Sequence, residues 1–94
     1  MGISKPPSWD VNARVQAVLE QHEHPHMTDA RLDAMKAAAL AEFRASLTEC
    51  ETNPDHFELL VHVDEIVGPI AFVLEPATGQ DWPLQVFQNW LKRS

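Results

Sequence analysis

The chain has 94 residues, 45% of them hydrophobic and 22% charged, with a net charge of −7. That composition fits one small folded domain with a thin core rather than a disordered protein. One cysteine, Cys50, excludes an intramolecular disulfide, and no apolar run approaches the roughly 18 residues of a membrane span.

Residues 1–7 carry Gly2, Pro6 and Pro7 and read as an extended lead-in without the apolar core of a signal peptide. Pro6 stands where a myristoylation signal needs Ser or Thr. The cytoplasm is the expected location. The domain is expected over 9–93, with 1–8 flexible.

Ser8 is placed to cap a first helix over 9–22, whose apolar positions Val11, Val15, Val18 and Leu19 share one face. Trp9 stands at its entrance. Pro25, within His22-Glu23-His24-Pro25-His26, ends it. Thr28 then caps a second helix over 28–49, with Asp29 in its first turn and Leu32, Met35, Ala39, Phe43 and Leu47 as a continuous stripe. Interspersed alanines raise its helix propensity.

Glu51-Thr52-Asn53-Pro54-Asp55 is a turn cluster, after which the apolar period changes to two. Phe57, Leu59, Val61 and Val63 alternate with Glu58, Leu60, His62 and Asp64. Beyond Gly68-Pro69, Ile70, Phe72 and Leu74 alternate with Ala71, Val73 and Glu75. Two such runs around a short loop predict an antiparallel hairpin. Pro76 to Gly79 is a second turn. Asp81 is expected to cap a last helix, with Pro83 in its first turn and Leu84, Phe87, Trp90 and Leu91 on its apolar face. The predicted class is α+β in the order α-α-β-β-α.

The second strand run is apolar on both faces, so it needs cover from two directions. Three helices would supply it. A second copy, extending a two-stranded sheet to four, would also supply it, making a homodimer.

Charge is lopsided. Between Arg44 and Lys92 there is no Lys or Arg, while Glu49, Glu51, Asp55, Glu58, Asp64, Glu65, Glu75 and Asp81 all fall there. Such a field repels nucleic-acid phosphates and suits a basic protein surface. The second helix mixes Arg31, Lys36 and Arg44 with acids, which is no nucleic-acid patch.

Chemistry-bearing motifs are few. The serines lack a Gly-x-Ser-x-Gly elbow, and the isolated glycines make no phosphate loop. Cys50 stands at the C-terminal end of a helix between Glu49 and Glu51, which opposes a thiolate. His22-x-His24-x-His26 is the sharpest local feature. In an extended segment alternate imidazoles face one side, as zinc, nickel or copper would require, although the spacing is not that of common zinc sites. Tryptophan is enriched at interface hot spots, which draws attention to Trp9 and Trp82. An anchor of a helix end is the competing role for Trp82.

The sequence therefore points to a small acidic protein-interaction module, an adaptor, chaperone or inhibitor. Its hairpin half would dock on a basic protein through Glu58, Asp64, Glu65, Glu75, Trp9 and Trp82, without nucleic acid or membrane. A nucleic-acid mimic is one form of this. The alternative is a metal-handling protein using His22, His24 and His26; otherwise no cofactor is expected.

Overall fold

The structure is a computed structural model and describes residues 11–85. Helix α1 spans Val11–His22 and buries Val11, Val15 and Leu19, four residues apart along one face. Ser8 and Trp9, expected at its start, lie outside the described residues.

Helix α2 spans Asp29–Glu49. Thr28 caps it as its sequence implies: the Thr28 hydroxyl oxygen accepts from the Arg31 N–H at 3.2 Å. Met35, Ala39, Phe43 and Leu47 of the expected stripe are buried, with Leu32 half-buried beside them. Ser46 is also buried, and its hydroxyl donates to the Glu42 carbonyl at 2.9 Å, so no orphan is left. Arg14, near the start of α1, pairs with Glu42 at 2.6 Å and with Glu49, near the end of α2. The two helices thus form an antiparallel pair.

The exit from α2 has a defined cap. Thr52 N–H donates to the Leu47 carbonyl at 2.9 Å and Glu51 N–H to Thr48 at 3.0 Å. This is the Schellman pattern, with Glu51 at φ 59° where glycine is usual. Asn53 then caps a short 3-10 turn over Pro54–His56.

Strand β1 spans Glu58–Asp64, β2 Gly68–Glu75 and β3 Gln80–Pro83. They form an antiparallel meander in the order β1-β2-β3. The third strand corrects the sequence reading. Asp81 does not cap a helix: Asp81 pairs with Leu74 and Pro83 with Phe72, and helical residues begin only after Pro83, at Leu84. Proline suits a strand edge as well as a helix start, because neither demands its missing N–H. Most of the expected last helix (86–93) lies outside the described residues. Over the described residues the fold is α+β, two helices and a three-stranded antiparallel sheet.

The helices pack on one side of the sheet. Phe57, Leu59, Val61 and Val63 face them, as do Ala71, Val73 and Trp82, and these close one core with Val11, Leu19, Met35 and Phe43. No helix among the described residues is long and apolar enough to cross a membrane.

Candidate functional site

Strand alternation that turns one set of side chains inward turns the other outward. The outer face carries Glu58, Leu60 and His62 from β1, Ile70, Phe72 and Leu74 from β2, and Asp81 and Pro83 from β3. Register arranges them in rows: Leu60, Phe72 and Pro83 lie abreast, Glu58, Leu74 and Asp81 form the next row, and His62 stands beside Ile70. The result is an apolar centre with carboxylates on one rim and an imidazole on another. Leu60 is 43% exposed, and Ile70, Phe72 and Leu74 are half-buried and stand outside the core cluster.

At the hairpin tip, Ile66 is 93% and Val67 69% exposed. Their display follows from the turn. The Asp64 carboxylate accepts from the N–H groups of Ile66 (2.8 Å) and Val67 (3.1 Å), folding the loop back on itself. Those two bonds, Ile66 first, hold the Asp64 carboxyl below its ordinary range. Gly68 closes the turn at φ +85°, where a Cβ would stand 3.0 Å from the Glu23 carboxylate.

The acids divide into two sets. Glu49 pairs with Arg14, and Asp55 with Arg44 at 2.8 Å. Glu75 accepts from the Thr78 hydroxyl at 2.7 Å and meets His56 Nε2 at 2.8 Å. These contacts, Thr78 first, keep its carboxyl below the usual value. With Asp64 turned into its own loop, four of the eight acids serve the fold. Among the described residues, Glu51, Glu58, Glu65 and Asp81 are in no ion pair and are exposed. Of the expected docking acids, Glu58 and Glu65 thus face solvent, while Asp64 and Glu75 are held internally.

Trp82 lies opposite Val73 on the inner side, half-buried against the core. Trp9 lies outside the described residues. The three histidines sit at the junction of the helices. His22 is half-buried in the last turn of α1, and His24 Nδ1 accepts the His26 N–H at 3.0 Å. Arg31 holds the His26 carbonyl at 2.8 Å. Among the described residues no three His, Cys, Asp or Glu side chains converge to hold a metal ion.

Clefts indent the surface formed by the described residues. One of about 390 Å³ lies where β3 stops short of the first half of β2, beneath Asn12 and Gln16 of α1. Another, about 260 Å³, separates Glu23, His24 and Met27 from Asp64 and Glu65 at the hairpin tip. A third, about 320 Å³, runs along β1 beside Lys36, Ala37 and Leu40 of α2.

The sequence reading did not single out the outer sheet face as a candidate site. Its signal was present in β2, whose apolar residues occupy both alternation sets. Compared with models of protein families, with curated proteins and with solved structures, the chain matches none.

Proposed function

We propose that this chain is a small acidic protein-interaction module, an adaptor, chaperone or inhibitor, that docks on another protein through its hairpin half. The observation that carries this reading is the outer sheet face: Leu60, Ile70, Phe72 and Leu74 are presented together, with Glu58 and Asp81 along one rim. The partner's matching surface is an apolar patch bordered by Lys or Arg. Burying a large apolar side chain contributes about 1.5–3 kcal/mol, so the face supplies affinity. The unpaired carboxylates supply steering and orientation. The exposed Ile66-Val67 tip adds apolar surface at the end of the hairpin. Relative to the sequence reading, the weight moves from Asp64 and Glu75 to the apolar face and to Glu58, Glu65 and Asp81.

The test is capture from a lysate of the native host at low salt, quantified by mass spectrometry, with two variants that keep the fold by circular dichroism. Phe72→Glu should lose the specific partner by at least about tenfold, as expected when a charge enters an interface centre. The triple variant E58K/E65K/D81K should weaken capture and abolish its salt dependence. A partner retained equally by the parent and both variants would refute the docking surface.

A further inference from the structure

Each end strand of the sheet leaves one backbone edge without a partner strand among the described residues. The two ends are not alike. Strand β3 is short and ends in Pro83, which has no N–H to offer. Strand β1 runs from Glu58 to Asp64 without proline, and Leu60 (43% exposed) and Leu40 of α2 (41%) flank it. The groove of about 320 Å³ between them follows the strand.

We propose that this edge pairs with a second copy of the chain, β1 against β1, antiparallel and centred on Leu60. The choice of occupant rests on charge and face. Paired residues of an antiparallel ladder lie on the same side of the sheet, so registers that keep both helical layers on one side centre on a residue. Centring on Val61 sets Glu58 against the partner copy's Asp64 twice, carboxylate on carboxylate. Centring on Leu60 sets Glu58 against His62 twice, and an imidazole N–H donates to a carboxylate in either protonation state. The same register places Leu60 on Leu60 at the outer face and Leu59 on Val61 at the inner face, where both enter the groove beside Leu40. Two three-stranded sheets become one of six, and the exposed Leu60 side chains are covered.

Sedimentation of the purified full chain from about 1 to about 100 μM, the range in which modest interfaces dissociate, should show conversion to twice the 10.6 kDa monomer mass. In a Cys50→Ala background, Leu60→Cys should form a symmetric disulfide on mild oxidation. His62→Cys should not, because this register separates the two sulfurs by about 14 Å along the strands. His62→Glu should raise the dissociation constant about tenfold, and E58K/H62E should restore it. A monomer throughout the range, as when another segment of the same chain covers the edge, overturns the proposal. So does cross-linking through position 62 instead of 60. These measurements use the chain alone, so their outcome is separate from that of docking to another protein.

Discussion

At the scale of single residues, several side chains serve the backbone. Glu51 holds a left-handed conformation that a residue with a Cβ adopts at a cost of about 1–2 kcal/mol. Glu51→Gly should relieve most of it, offset in part by the freer unfolded chain. The expected outcome is a gain of up to about 1 kcal/mol in urea denaturation. Asp64 and Glu75 both have lowered carboxyl pKa values in the folded state. A lowered folded pKa gives stability that is complete above the unfolded value and fades as pH falls through the folded one. Urea midpoints measured from pH 6 down to pH 2 should therefore fall for the parent. They should fall less for the double variant D64N/E75Q, whose side chains keep hydrogen-bonding oxygens but carry no charge. Arg14 joins α1 to two carboxylates of α2. Arg14→Gln leaves Glu42 and Glu49 together without it, and a loss of about 1 kcal/mol is expected for such a partly exposed pair.

Among the elements, the helix pair carries the core. Among the described residues Phe43 is the largest fully buried side chain, and Phe43→Ala should cost about 3–5 kcal/mol, read as a lower urea midpoint with an unchanged slope. Both helices and the hairpin were legible in the sequence because their signals agree. Thr28 and Asp29 mark a start, the stripe from Leu32 to Leu47 keeps helical period, and Phe57 to Val63 changes to a period of two. β3 was not legible. Its only inward apolar residue is Trp82, so alternation has too little length to register, and Asp81 with Pro83 resembles a helix entrance. Its partner, Glu75 to Phe72, supplies the pairing that local sequence cannot announce. The site was half legible for a related reason. Acids can be counted in a sequence, but which of them Arg14, Arg44, Thr78 and the turn amides occupy depends on contacts far along the chain or on side-chain geometry. Gly68 shows the same dependence: its positive φ sets the turn that displays Ile66 and Val67. Gly68→Ala should lower the midpoint by the equivalent of about 1 kcal/mol.

For the molecule as a whole, the two proposed associations have opposite electrostatics and share one sheet. Docking to a basic partner is attraction between unlike fields, and screening weakens it. Pairing of two copies brings together two chains of net charge −7, and screening relieves that repulsion. Raising salt from about 0.05 to about 0.5 M shortens the Debye length roughly threefold. It should therefore weaken partner capture and favour the dimer in sedimentation. Cys50, 6% exposed where α2 meets the sheet, gives the molecule an internal clock. As the chain's one sulfhydryl, it meets a colorimetric disulfide reagent freely only when the helix end lifts from its neighbours. Its labelling rate thus reports how often the native protein opens, at a single chemically defined atom.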